Sequence, residues 1–290
     1  MTAFAGGPHP ASPAWHKTSN KRKNKFIEMK IAIIGAGAMG GSLAKGLLKS
    51  GRWQAGNITV ANRTEAALRP FAELGAHTTT DNVAAATGAD VVFVVVKPWV
   101  VEGVLAEIKG SLDLSAQTVV VIAAGVGSAD MARWLADSGG RTPALMLAMP
   151  NIAVAELCSM TFVVPVKATR QQTESVCAVL DSVGRTLITE ERLLPAATTL
   201  ASCGIAYAMR YVRAATEGGV ELGFKAQAAR DIVLQTVRGA VELLQASGDH
   251  PEAAIDTVTT PGGVTIRGLN EMEHAGFSSA VIRGLKAGLQ

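Results

Sequence analysis

Residues 31–40 read Ile31-Ala32-Ile33-Ile34-Gly35-Ala36-Gly37-Ala38-Met39-Gly40. Apolar, mostly β-branched residues run straight into glycines spaced GxGxxG, and Gly40 to Lys49 then has helical texture. A strand feeding a helix through such a turn is the opening unit of a dinucleotide-binding fold. Each glycine has its own job: Gly35 allows the tight turn, Gly37 lets the backbone touch a pyrophosphate, and Gly40 lets the helix lie close to the sheet. Ala38 and Met39 complete the loop as candidate cofactor contacts.

Outward from this turn, short apolar runs alternate with amphipathic stretches. Ile58 to Val60, Thr64 to Leu74, Val91 to Val96 and Val119 to Ile122 come first, and strands are expected at Ala144 to Ala148, Thr161 to Val164 and Thr186 to Ile188, with helices between them. The valine-rich run at 91–96 has no polar face, as a strand buried on both sides of a parallel sheet requires. This is βαβ logic, and it predicts an α/β N-terminal Rossmann domain. At about residue 192 the strand-like runs cease and Ala-rich helical periodicity takes over, which predicts an all-α C-terminal dimerisation domain. Leu193 to Thr216 reads as one long helix, apolar or small on nearly every face through Leu200, Ala201, Ile205, Ala206, Tyr207, Ala208 and Val212. A helix of that kind is buried. So short a C-terminal unit cannot hide it alone, and a second copy is expected to cover it in a homodimer or a ring of dimers. Arg230 to Ala246 and Val264 to Glu273 are the next expected helices. The organisation is then a disordered leader at 1–28, an NADP-binding Rossmann domain at 29–191 and a helical dimerisation and substrate domain at 192–290.

Of 290 residues, 48% are hydrophobic and 18% charged, enough for two domains with cores. The formal net charge of +3 is concentrated in the leader, at Lys17, Lys21, Arg22, Lys23 and Lys25. The remainder is near neutral, so nucleic acid is not an expected partner. The leader reads as a flexible extension, or as residues upstream of an alternative start, and has no secretory apolar core. No run suits a membrane. Cys158, Cys177 and Cys203, an odd count without CxxC, fit free thiols in a reducing, cytoplasmic setting. The histidines are scattered without metal spacing, and no metal is expected.

A chain that binds NAD usually ends its second strand on an acidic residue for the ribose hydroxyls. Here that place reads Asn62-Arg63-Thr64. A guanidinium flanked by neutral hydrogen-bonding groups matches a 2′-phosphate instead, which points to NADPH with NADH bound more weakly. Val96-Lys97-Pro98 and Ala123-Ala124-Gly125-Val126 end the next strands at the edge where open α/β sheets bind ligands. Their small residues leave room for a nicotinamide ribose, and Asn151, after Met149-Pro150, is placed to bring an amide toward the nicotinamide. Each of these also reads as an ordinary strand-to-helix loop.

Near the C-terminus, Thr259-Thr260-Pro261-Gly262-Gly263-Val264-Thr265 precedes an apolar helical run. Pro261 fixes φ, Gly262 and Gly263 open the backbone to a ligand, and Thr260 and Thr265 add hydroxyls. With a helix behind it, the turn suits a carboxylate. It also fits a plain turn between helices.

Together these segments resemble pyrroline-5-carboxylate reductase, the last enzyme of proline biosynthesis. The resemblance spans 29–290 and rests on Gly35 to Gly40, Asn62-Arg63, Lys97-Pro98, Ala124-Gly125-Val126, Met149-Pro150-Asn151 and Thr260 to Thr265 with Gly268 and Leu269. It implies a Rossmann domain, a helical domain that dimerises by interlocking helices, and an active site between them where the Pro-Gly-Gly loop, Thr260, Gly262, Gly263, Val264 and Thr265, holds the carboxylate of the cyclic imine. The chain departs from the family pattern at Asn151-Ile152-Ala153, at Ala201 to Tyr207, and at Arg210, where a threonine is usual.

Hydride transfer to a carbonyl requires a positioned acid. The helical region offers Lys225, Lys286, His250 and His274 near turns and helix ends, and Tyr207 in the middle of the long helix. That scarcity fits a protonated imine, which yields a neutral amine without a proton in the step. The expected activity is NADPH-dependent reduction of L-1-pyrroline-5-carboxylate to L-proline. A related cyclic-imine or β-hydroxyacid reductase and a catalytically inactive dinucleotide-binding sensor are the alternatives, the sensor motivated by Arg210 and the altered Cys203 stretch.

Overall fold

A computed structural model describes residues 28–289. The leader through residue 27, with its basic cluster, lies outside the described residues. β1 (Ile31–Ile34) leads into α1 (Ala38–Lys49), β2 (Ile58–Ala61), the short α2 (Arg69–Ala72) and β3 (His77–Thr79). Then follow α3 (Asn82–Ala86), β4 (Val91–Val94), α4 (Pro98–Ile108), β5 (Thr118–Val121), α5 (Ser128–Leu135) and β6 (Ala144–Met149). The sheet order is β3-β2-β1-β4-β5-β6, all parallel, extended by β7 (Ser159–Lys167) and β8 (Gly184–Ile188).

Period-two alternation sends successive side chains to opposite faces. Ile31, Ile33, Val91 and Phe93 therefore pack with Leu43 and Leu47 of α1, while Ala32, Ile34, Val92 and Val94 pack with Leu105 and Ile108 of α4 and Met131 of α5. Burying each large aliphatic side chain contributes about 1.5–3 kcal/mol. Helices on both faces make this the doubly wound arrangement, with the open strand ends forming one crevice.

Two expectations change here. A helix was expected between the sixth and seventh strands, but they are joined only by a 3₁₀ turn at Ile152–Glu156, and β7 runs antiparallel to β6. Residues 150–158 are too few for a parallel crossover, which needs about a dozen or more. α6 (Arg170–Asp181), opened by a Thr169/Gln172 capping box, then supplies the crossover that makes β8 parallel to β7.

The helix expected over 193–216 is α7 (Leu194–Ala197), a π-helical stretch at Thr198–Cys203, and α8 (Gly204–Glu221). It is not buried in the single chain: no residue of α8 is, and Leu200 and Met209 are 63% and 61% exposed. The second surface that such a face needs is not supplied by the same chain. α9 (Ala226–Ser247) returns against α8, so close that a Cβ on Gly219 would stand 2.9 Å from that of Ala229. α10 (Pro251–Thr257) and α12 (Phe277–Ala287) flank α11 (Val264–His274), and neither was announced by periodicity.

Candidate active site

The glycine loop is fixed by contact distances. Gly35 has φ +103°, and a Cβ there would stand 2.3 Å from the Val95 carbonyl oxygen. One on Gly40 would stand 1.8 Å from the Gly35 oxygen, so the helix can approach only as glycine allows. Gly37 is different: nothing lies within 4 Å of an added Cβ, and the residue faces open space. As N-cap of α1 without a side-chain cap, it leaves the first-turn amides of a 12-residue helix aimed at that space.

The space is a cavity of about 470 Å³ along the C-terminal ends of the strands. Of the predicted cofactor contacts, Gly35, Gly37, Ala38, Met39, Asn62, Arg63, Val96, Lys97, Pro98 and Ala124 line it. Gly40 sits beneath the loop, and Thr64, Gly125 and Asn151 are off the wall. Asn62 has a second role: Ala36 N–H donates to its Oδ1 at 3.3 Å, and its Nδ2 donates to the Thr64 carbonyl. Arg63 is exposed and makes no ion pair among the described residues. Lys97 is the N-cap of α4 and Pro98 its first residue. The ionisable groups of the lining are thus two cations, Arg63 and Lys97, with no carboxylate.

Asn151 is committed elsewhere. It is 5% exposed, its Oδ1 accepts from Ala153 N–H, and its Nδ2 donates to the Ala201 carbonyl at 3.2 Å. It caps the 3₁₀ turn and ties β6 to the π-helical stretch.

In the C-terminal motif, Gly263 N–H donates to the Thr260 carbonyl at 2.9 Å and Gly262 has φ +70°. Pro at the second place and a positive φ at the third are the marks of a type II turn. Gly263 is the N-cap of α11, an 11-residue helix, again without a side-chain cap. Val264 and Thr265 begin that helix, and Val264 is 77% exposed. None of Thr260, Gly262, Gly263, Val264 and Thr265 lines the cavity of the same chain.

Residues 191–290 match the family model described as pyrroline-5-carboxylate reductase dimerisation, and 30–125 match NADP oxidoreductase coenzyme F420-dependent. Pyrroline-5-carboxylate reductase 2 of Dictyostelium discoideum is 34% identical, the match covering 88% of this chain and 89% of that protein. The chain belongs to the pyrroline-5-carboxylate reductase family. Pyrroline-5-carboxylate reductase 1 of the same organism is also 34% identical over 90% of this chain, which spans about half of that relative (49%). A pyrroline-5-carboxylate reductase structure from Coxiella burnetii superposes with a TM-score of 0.82 at 27% identity, covering 90% of this chain and 96% of that one.

Other predicted residues that could matter in a pyrroline-5-carboxylate reductase lie away from the cavity. Tyr207 is 39% exposed and its hydroxyl donates to the Gly284 carbonyl at 3.4 Å, a link between α8 and α12. Arg210, one turn further along α8, is exposed, and neither residue lines the cavity. Lys225 and His250 are the N-caps of α9 and α10, and His274 ends α11. Among the described residues no His, Cys, Asp and Glu cluster has metal-binding form, and no helix is long and apolar enough to cross a membrane. The sequence reading missed Asn82, which lines the cavity while its Nδ2 donates to Glu107 at 2.8 Å. Its only local signal is an amide at the start of a helix capped by Asp81.

Proposed function

We propose that the chain reduces L-1-pyrroline-5-carboxylate to L-proline with NADPH, the final step of proline biosynthesis. One observation carries the reading: a glycine-loop cavity whose only ionisable groups are the cations Arg63 and Lys97. That wall suits a polyanion, and an unpaired guanidinium at the end of β2 suits a 2′-phosphate better than two ribose hydroxyls. The residues therefore fit NADPH, with Gly37 and the first turn of α1 toward the pyrophosphate and Arg63 toward the 2′-phosphate. When bound, it supplies the hydride.

The chain's own groups bind and orient the imine. The amides of Gly262, Gly263 and Val264 and the hydroxyls of Thr260 and Thr265 hold its carboxylate, aided by the positive end of α11. Proton donors are absent from the cavity wall apart from Lys97, and Tyr207 is engaged by Gly284. A protonated imine needs none in the step. The exposed apolar faces of α8 and α9 are covered by a second copy, with 29–191 holding the nucleotide and 192–290 the dimer contact and substrate. The three cysteines are unpaired, in keeping with a cytoplasmic enzyme.

The test is NADPH oxidation with pyrroline-5-carboxylate, with piperideine-6-carboxylate and with a β-ketoacid. Fastest turnover of the five-membered imine is expected. Preference for the six-membered ring or the ketoacid would move the assignment to the related reductases, and tight NADPH binding without turnover would make the chain a sensor.

A further inference from the structure

The loop that follows β5 carries Ala123 and Ala124 into the cavity wall. Among the described residues, no backbone N–H of 123–127 donates to another backbone group, so beyond the packing of Ala123 and Val126 on the core the loop's hydrogen bonds lie at its ends. At its start, Ile122 N–H donates to the Val94 carbonyl. At its far end α5 begins, and its N-cap Gly127 offers no side chain. That cap comes instead from a residue 63 positions further along the chain: Ser128 N–H donates to Glu191 Oε1 at 2.9 Å. Glu191 opens the segment leading into the helical region, and a few residues later Leu194 and Ala197 are buried in the same apolar cluster that Val126 packs against.

We propose that Glu191 is a positioning residue for the cofactor cavity: by capping α5 from the segment that leads into the helical region, it fixes the Ala123–Gly127 loop against the nucleotide. The proposal rests on the reading of the cavity as an NADPH site. A carboxylate at a helix N-terminus is favoured by the local dipole as well as by the hydrogen bond. Apolar contacts of Leu194 and Ala197 still anchor the segment without it, so its loss leaves the fold standing and frees the loop.

The two ends of the bond are tested separately, with NADPH affinity read by direct titration as well as from kinetics. Glu191→Ala is expected to raise the Kd and KM for NADPH about fivefold or more while kcat stays within about twofold, and Glu191→Gln, which keeps an acceptor oxygen, restores most of the affinity. Ser128→Pro removes the donor and leaves Glu191 in place. Ser128 is the first helical residue, where proline is tolerated, and Gly127 before it is extended at φ −92°, ψ 158°. It should weaken NADPH as Glu191→Ala does, and the double variant should be little worse than either single one. A Kd unchanged in Ser128→Pro, or a Glu191→Ala protein that loses active fraction with unaltered Kd, overturns the proposal. A wild-type chain that binds NADPH but reduces no imine overturns the function instead, and the Kd comparison still decides the role of Glu191.

Discussion

Asn62 holds the glycine loop at Ala36: the backbone N–H of Ala36 donates to the side-chain oxygen of Asn62 at 3.3 Å, across 26 residues of sequence. The end of β2 thereby braces the turn after β1, and the same amide donates to the Thr64 carbonyl. Asn62→Ala removes both bonds, each worth about 0.5–1.5 kcal/mol. It should raise the KM for NADPH and for NADH together, about three- to tenfold. A loss confined to NADPH would mean that Asn62 acts on the 2′-phosphate rather than on the loop.

Arg63 gives the opposite pattern. A hydrogen bond to a charged group contributes about 1.5–3 kcal/mol, so Arg63→Ala should raise the KM for NADPH about tenfold or more and leave that for NADH nearly unchanged. Equal effects on both cofactors would remove the 2′-phosphate assignment.

The glycine turn and the valine strands were legible because glycine spacing and apolar runs are local properties. Three features were not. The reversal at β7 depends on the short link at 150–158, which is readable only when its length is weighed against a crossover. The π-helical stretch at Thr198–Cys203 depends on where Asn151 and Ser202 tie it to β6, since Asn151 donates to the Ala201 carbonyl and Ser202 to that of Pro150. Asn82 reaches the cavity because β3 stops beside β2, a tertiary fact with no signature in the sequence around it. The burial expected for 193–216 was a statement about an assembly, and a single chain leaves that helix open.

The thiols should separate by environment. Burial pushes the Cys177 thiol above its ordinary range, so its reactive thiolate is scarce at neutral pH, whereas Cys158 is exposed. A thiol reagent on the native protein should label Cys158 rapidly and Cys177 only on unfolding, as peptide mapping would show. Rapid labelling of Cys177 in the folded protein would contradict the burial.

Leu234 and Val241 lie two turns apart on one face of α9, 49% and 47% exposed. Covering the remaining exposed half of such side chains contributes about 1 kcal/mol each, and a buried unpaired carboxylate costs more than that. Leu234→Glu with Val241→Glu should break the homo-oligomer down to monomer by light scattering and abolish imine reduction, while NADPH binding persists. A double variant that stays oligomeric places the contact on another face.

The proposed carboxylate seat can be tested through the geometry of its own turn. Thr260→Ala and Thr265→Val each remove a hydroxyl and should raise the KM for the imine about tenfold, leaving that for NADPH unchanged. Gly263→Ala probes the same place differently, because its Cβ would stand 2.5 Å from Thr260 Oγ1 and 3.0 Å from the Thr260 carbonyl oxygen. The first of these neighbours is the tip of a side chain and can swing away, taking the hydroxyl with it. Gly263→Ala alone should therefore reproduce the defect of Thr260→Ala. In the double variant the hydroxyl is already gone, and only the milder approach to the backbone remains. Its imine KM should fall well short of the product of the two single effects. Full multiplicativity, or a defect in NADPH binding, would show that the turn at Thr260–Gly263 does not hold the substrate.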